Sequence, residues 1–440
     1  MLKRKMETTL AQWKAEKKHT PLIIKGCRQC GKSFIVEKFG RENYEHVVLL
    51  DFVKDSSYSA IFEGSLDVDH LTMLMSANMG TRASFVPDKT LIIFDEIQEC
   101  PNARTALKYF ALDGRYDVIG TGSLLGVHGY GKKNLPRSVP IGYEQIEEMY
   151  PLDFEEFLWA NGIDENTFRY LNECFQAETP VPNALHERLR ELLLQYVVVG
   201  GMPEVVEAFV ETKQLNTVLA IQRRIIRSYK DDMVKYAGDE DKVKIKECFE
   251  SIPRQLSKEN KKFQYSIVRK NARASEYISC LQWIEDAGII RRCYNLSTPK
   301  LPLDGNAESD KFKVYMADTG LFVSMLEDGT QWDILQGNLY TYKGAIYENL
   351  IADFLGKMGR RLYYYHKDSG LELNFIIRRN GSAVPIEVKA TNGNAKSLRT
   401  VLNHPEKYHV KEALKIIDGN IGRDGKVLSI PHYLTFLLQI

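Results

Sequence analysis

Apolar residues in the first third of the chain fall into short runs separated by amphipathic stretches. Residues 22–25 (LIIK), 47–52 (VVLLDF), 91–94 (LIIF) and 116–119 (YDVI) are short and aliphatic-rich, the pattern of buried strands. Between them, residues 33–39 and 103–111 space their apolar positions at helical intervals. Alternation of this kind predicts a parallel sheet covered by helices, because each parallel crossover needs a long connection that a helix supplies.

A Gly-rich stretch over residues 120–131 and a polar loop to residue 140 follow. The segment YPLDFEEFLWANG then reads as a turn entering a helix whose acidic first turn suits the helix dipole. Residues 166–200 and 215–237 are predominantly helical in pattern, with GGMPEVVEAF as a turn and helix between them. Residues 274–287 (ASEYISCLQWIEDA) form an amphipathic helix. The strand-like stretches 288–293 and KVYMADTGLF come next, an order that suits a winged-helix module. In the last third, LYTYKGAIYENLIADFLGKMG reads as a helix, and RLYYYHKDSG, ELNFIIRRNG and AVPIEVKA read as three strands split by Gly-containing turns. The expectation is an α/β chain of three units: 1–165, 166–337 and 338–440.

Composition agrees with that division. With 440 residues, 44% hydrophobic and 27% charged, the chain has material for two or three separate cores. Its basic start, MLKRK, is followed by no apolar targeting core, and no run approaches the length of a membrane helix, so a soluble, cytoplasmic protein with no membrane partner is expected. Seven scattered cysteines fit a reducing compartment rather than a disulfide framework. The net charge of +1 conceals sorting: residues 141–180 carry ten acidic residues and one basic, whereas residues 221–300 carry eighteen basic and eleven acidic. The basic middle third fits a nucleic-acid or acidic-protein surface, although solvated helix faces give the same count.

Chemistry concentrates first at Gly26-Cys27-Arg28-Gln29-Cys30-Gly31-Lys32-Ser33, which matches G-x-x-x-x-G-K-[ST] between a strand and a helix. The glycines permit a tight loop whose N–H groups surround a β-phosphate, Lys32 reaches the β and γ oxygens, and Ser33 holds Mg²⁺. Cys27 and Cys30 have redox or metal spacing, but both lie inside this loop and no second Cys/His pair accompanies them. The apolar run 91–94 ends in Asp95 and Glu96. Asp95 is placed to hold the Mg²⁺ shell opposite Ser33, and Glu96 to polarise an attacking water. The run 116–119 leads into Gly120-Thr121-Gly122-Ser123, where Thr121 or Ser123 can bond a γ-phosphate or the lytic water; a simple β-turn is the alternative. Arg137 is a candidate finger reaching a phosphate from a neighbouring subunit, or an ordinary surface arginine. The cofactors expected are ATP and Mg²⁺.

Taken in order, GCRQCGKS, LIIFDEIQE, GTGSLL, YPLDFEEF, GGMPEVV, MADTGL, GAIYEN, ELNF and IEVK resemble a group of prokaryotic AAA+-type ATP-binding proteins with a C-terminal domain of unknown function. The resemblance implies an AAA+-like P-loop ATPase core, a helical and winged-helix middle region, and a C-terminal α/β domain like the PD-(D/E)xK nuclease fold. In that fold two acidic residues and a Glu-x-Lys pair surround one or two metal ions; the matching positions are Glu348, Asn374, Glu387 and Lys389. The pattern expects aspartate where Asn374 stands, and a neutral carbonyl is a poor ligand for a hard cation. Glu372, two residues earlier and on the same face, has the missing charge. A degenerate binding or structural domain is therefore expected.

Three functions are compatible with this sequence. One is an ATP-driven machine that moves its winged-helix and C-terminal units on double-stranded DNA or a protein client, alone or as a homo-oligomer. The second is a nucleotide-gated nuclease acting through Glu348, Glu387 and Lys389, and the third a slow-turnover interaction module. Asn374 weighs against the second and the Asp95-Glu96 pair against the third. The acidic end of residues 274–287 weighs against base reading by that helix.

Overall fold

The computed structural model describes residues 1–123, 142–236, 241–258, 261–338, 342–391 and 393–439. Arg137 and most of the Gly-rich stretch lie outside the described residues.

The first sheet is wholly parallel. Its strands β1 (Leu22–Lys25), β2 (His46–Asp51), β3 (Thr90–Asp95), β4 (Asp117–Gly122) and β5 (Gln145–Glu148) stand in the order β2-β3-β4-β1-β5. Alternate residues feed two separate cores, as the period-two geometry of a strand requires. Ile23, Ile92 and Phe94 pack under the helices Val68–Met79 and Pro101–Asp113, whereas Leu22, Ile24, Leu91 and Ile93 pack under Lys32–Asn43. A helix that sequence patterning missed, Lys5–Ala15, closes the second core with Met6, Leu10 and Trp13. Just before it, buried Arg4 donates to Glu156 Oε1 (3.0 Å), the Cys30 carbonyl (3.1 Å) and the Tyr150 carbonyl (2.6 Å). The extreme N-terminus is thus tied to the phosphate loop.

Among the described residues, the chain runs from β5 through five α-helices to the winged-helix-like order of Lys242–Leu256, Tyr265–Val268 and Ala274–Asp286, followed by β6 (Ile290–Leu296) and β7 (Ala307–Met316), which pair antiparallel. KVYMADTGLF is not one strand. It leaves β7 at Met316, and Asp318 caps a short helix, Thr319–Ser324, by accepting from the Leu321 amide (2.9 Å).

After the helix Lys343–Lys357 come β8 (Leu362–His366), β9 (Glu372–Leu373), β10 (Phe375–Arg379) and β11 (Ser382–Val388), then the helix Lys396–Asn403 and β12 (Ala413–Ile417), β13 (Gly422–Asp424) and β14 (Val427–Pro431). A five-stranded sheet runs β10-β11-β12-β14-β13, with β11 and β12 parallel. ELNFIIRRNG is split because the Asn374 side chain accepts the Val388 amide (2.9 Å), interrupting the strand between β9 and β10. β8 pairs parallel with β6, so the C-terminal unit extends the sheet of the winged-helix-like unit.

Those two units share one continuous core, and the motifs YPLDF, GGMP and MADTGL meet inside it. Leu152 donates its amide to the Gly201 carbonyl (2.6 Å), and the Gly201 amide donates to Asp318 (2.7 Å). A Cβ on Gly201 would stand 2.0 Å from the Leu152 carbonyl oxygen, which explains the glycine. Lys357, 8% exposed, forms an ion pair with Asp353 (2.8 Å) and donates to Tyr196 Oη (2.9 Å) and the Leu152 carbonyl (3.1 Å).

His432 is buried near the end of the chain, its ring stacked on Tyr347 at 4.2 Å between centroids. Burial holds its imidazole down to about 3. A folded value below the unfolded one means that its contribution to stability is complete above about pH 6.5 and is lost as the pH falls through that window. The wild type is expected to lose stability between about pH 6.5 and pH 3 more steeply than His432→Phe. Urea midpoints measured across this range check it; parallel curves would show that His432 is not the titrating group.

Candidate functional site

The loop between β1 and the helix Lys32–Asn43 is shaped by close approach. A Cβ on Gly26 would stand 2.1 Å from the Met149 carbonyl oxygen, and Gly31 has φ +94°, a backbone state that favours glycine. Lys32, 5% exposed, donates to the Gly26 (3.1 Å) and Cys27 (2.9 Å) carbonyls. Gly26→Ala is expected to displace the loop from Met149 and to abolish binding of a fluorescent ATP analogue while the chain remains folded by circular dichroism. Undiminished binding would contradict the assignment of the loop.

Because β4 lies between β1 and β3, Thr121 is carried to a position between the phosphate loop and Asp95. Asp95, 8% exposed, accepts from Ser33 Oγ (2.7 Å) and from the Thr121 hydroxyl on the same oxygen. Burial raises its carboxyl above the ordinary value, against the bonds from Thr121 and Ser33. Glu96 sits at φ +51° just past the strand. Its carboxylate accepts from Ser123 Oγ (2.9 Å), the Ser123 amide (3.2 Å) and the Gln98 side chain. Burial pushes this carboxyl up, but the Lys32 charge and the bonds from Gln98 and Ser123 outweigh it and hold it below the ordinary value. The hydroxyls of Thr121 and Ser123 are thus directed at the two carboxylates. Sequence reasoning missed Gln98, whose only signal is its place two residues after Glu96.

Cys27 and Cys30 are buried, and all seven cysteines are free thiols. Cys30 is pulled down to about 6 by its contact with Cys27, and then by Lys32 and Arg4 against burial. Arg28 forms an ion pair with Asp232, and Tyr229 Oη donates to the Arg28 carbonyl (3.1 Å); both partners lie on the helix Leu215–Tyr236. Gln29, at φ +65°, completes the turn of the loop. The loop therefore touches the middle region directly.

Two members of the second predicted constellation, Glu348 and Glu372, flank a cation the sequence did not suggest. Lys313 on β7, 1% exposed, lies 2.5 Å from Glu372 and 3.6 Å from Glu348. Glu348 also pairs with Lys261 and accepts from Tyr315 Oη (3.1 Å). Burial disfavours the Glu348 charge, yet the two lysines hold its carboxyl below the ordinary value. Glu387 pairs with Lys389 (2.8 Å), while its Oε2 has no hydrogen-bond partner among the described residues. Burial raises the Glu387 carboxyl, against Lys389. Asn374 spends its side-chain oxygen on the Val388 amide. Among the described residues no group of three or more His, Cys, Asp or Glu side chains is disposed to hold a metal.

Comparison with known families matches residues 18–158 to the AAA domain, residues 190–331 to Domain of unknown function (DUF8612) and residues 343–433 to Domain of unknown function (DUF4143). No curated protein matches the sequence. Similar solved structures include the Walker-type ATPase PABY2304 of Pyrococcus abyssi (14% identity, 74% of this chain and 96% of that one, TM-score 0.41). The ORC1 protein of Aeropyrum pernix in complex with DNA is similar at 13% identity over 78% and 94% of the two chains, TM-score 0.29. AMPPCP-bound DnaA from Aquifex aeolicus is similar at 11% identity over 64% and 85%, TM-score 0.27. Residues 18–158 match the AAA domain, and with that domain the chain is an ATPase that uses ATP and Mg²⁺. The residues fit that chemistry: a glycine-shaped loop, a buried lysine, and a hydroxyl and a carboxylate that converge on one point.

Proposed function

We propose that hydrolysis at the Lys32, Asp95 and Glu96 site repositions the winged-helix-like and C-terminal units on DNA or a protein client, in the cytoplasm. The observation that carries this reading is the direct contact of the phosphate loop with the middle region through Arg28, Asp232 and Tyr229. Gly26–Ser33 backbone amides and the Lys32 ammonium bind the phosphates. Ser33 and Asp95 are the residues that would hold Mg²⁺, which when bound neutralises charge on the phosphate oxygens. Glu96, ionised and fixed by Ser123, orients and polarises the attacking water. Thr121 and Ser123 connect these carboxylates to β4, and Arg137 is retained as the candidate finger from a second copy of the chain.

The C-terminal unit is best read as a PD-(D/E)xK-like fold that has lost its metal. Supporting this are the order of a helix, the strands β8, β10 and β11, a helix and the parallel β12, and the Lys313 ammonium between Glu348 and Glu372. An ammonium there supplies the charge compensation that a divalent cation would otherwise give.

The test is hydrogen exchange on the full chain with ADP and with a non-hydrolysable ATP analogue, both with Mg²⁺. Protection over residues 226–236 is expected to differ between the two nucleotides. Identical protection there would contradict coupling through Arg28 and Asp232. Plasmid DNA in the same mixtures is expected to stay intact, and cleavage would instead favour the nucleotide-gated nuclease.

A further inference from the structure

The helix Ala274–Asp286 presents two unlike faces. Tyr277, Cys280, Leu281, Trp283 and Ile284 are buried against the rest of the winged-helix-like unit. On the opposite side Ala274, Ser275, Ile278 and Ser279 are exposed, three small side chains and one branched apolar side chain at helical spacing, with exposed Glu276 beside them. The turn leading into this helix holds Arg269, Lys270 and Arg273, all exposed, with Asn271 at φ +65° making the bend. A helix entered from a basic turn, with Ile278 the one bulky apolar side chain on its exposed face, has the shape and charge to enter a major groove between two phosphate backbones.

The acidic residues nearby are already engaged. Glu276 accepts the Arg273 amide (3.0 Å), and Glu247 accepts from Tyr277 Oη (2.9 Å). At the far end Glu285 accepts from the Arg292 amide (2.8 Å) and its Nε (2.6 Å), while Asp286 accepts from Gln282 (2.7 Å). The acidic end that argued against DNA in the sequence is folded inward on Arg292 and Gln282, away from the basic turn. In the loop between β6 and β7, Asp304 pairs with Arg361 (2.9 Å) and accepts from Tyr363.

Immediately beyond the helix, Gly288 has φ +73° and lies so close to the phosphate loop that a Cβ there would stand 3.3 Å from the Cys27 nitrogen. One rigid element about 20 Å long therefore runs from the basic turn to the nucleotide loop. We infer that the amino-terminal half of Ala274–Asp286, with Arg269, Lys270 and Arg273, docks double-stranded DNA, and that its seat on the phosphate loop links DNA affinity to the bound nucleotide. This rests on the ATPase reading above and specifies its partner and surface.

The experiment follows fluorescence anisotropy of a labelled 30-base-pair duplex with the full chain across a salt series, with and without ATP and Mg²⁺. Phosphate release without DNA is measured in parallel. The triple variant Arg269→Glu/Lys270→Glu/Arg273→Glu is expected to bind at least about tenfold more weakly. Its log-affinity against log-salt slope is expected to be shallower by about 2.7, with basal phosphate release unchanged. ATP is expected to shift the wild-type duplex affinity at least about threefold. Equal binding by wild type and triple variant overturns the surface, and an affinity indifferent to nucleotide overturns the link. Displacement of the duplex by polyglutamate at matched charge as readily as by unlabelled duplex makes the surface an acidic-protein site and overturns the choice of DNA. No duplex binding by a wild type that hydrolyses ATP overturns this inference alone, whereas duplex binding without hydrolysis leaves it standing and removes the ATPase reading.

Discussion

Replacing Glu96 with glutamine is expected to lower the rate of ATP turnover by about 10²–10⁴ while leaving nucleotide affinity in place. Glutamine keeps the length and planarity of the side chain and can still accept from Ser123 and Gln98, so the αL turn at residue 96 is preserved. What it removes is the negative charge. Lys32 and the bonds from Gln98 and Ser123 outweigh burial and hold that carboxyl below the ordinary value, so wild-type Glu96 is ionised throughout the neutral range. Activity limited by this group is therefore full above the ordinary carboxylate value and falls only as the pH drops through the lowered one. Phosphate release checks the rate and titration with a fluorescent ATP analogue checks the affinity. A variant that turns over like wild type would remove Glu96 from the chemistry.

Lys357→Met is expected to destabilise the fold by about 3–5 kcal/mol, the cost of leaving buried charge without its partner. Lys357 faces Asp353 (2.8 Å) and Asp318 (3.6 Å), both buried, and donates to Tyr196 and the Leu152 carbonyl. Burial already pushes the Asp353 carboxyl up to about 6, even with the ammonium beside it. That raised folded value means that Asp353 contributes most below its unfolded value and that the contribution is lost as the pH rises through about 6. Without Lys357 the Asp353 carboxyl rises further, so the deficit is expected to be larger at pH 8 than at pH 5. Adding Asp353→Leu removes the stranded charge and should recover part of the loss. Urea midpoints of the single and double variants at the two pH values check this; a deficit of under about 1 kcal/mol would mean the pair contributes little.

Legibility in the sequence followed locality. The phosphate loop is eight consecutive residues between a strand and a helix, and Asp95 and Glu96 end an apolar run, so both could be read without tertiary information. The C-terminal carboxylates came with the family resemblance, which places a Glu-x-Lys pair on one strand face, rather than from local pattern alone. Lys313 was not found, because it reaches Glu372 across 59 residues and from a unit the sequence assigns elsewhere. Arg4 joins Glu156 across 152 residues, and Lys357 meets the Leu152 carbonyl across 205. Such pairs leave no periodic signal. GGMP and MADTGL enter the sequence reading only as a turn and as a strand-like stretch, and the fold places them at a structural joint, where Gly200, Gly201 and Gly320 are required by close approach. The charge count over Ala274–Asp286 is limited for a related reason: it cannot tell which carboxylates already have partners.

The central claim is that the loop from Gly26 to Ser33 and the carboxylates of β3 form one ATP-hydrolysing site. Phosphate release from ATP by the full chain with Mg²⁺, repeated with EDTA and with Lys32→Ala, tests it most directly. The expected result is sustained turnover by wild type that EDTA abolishes and that Lys32→Ala lowers by about 10²–10³. Turnover by Lys32→Ala equal to wild type, or none by wild type while it binds the nucleotide, would contradict it.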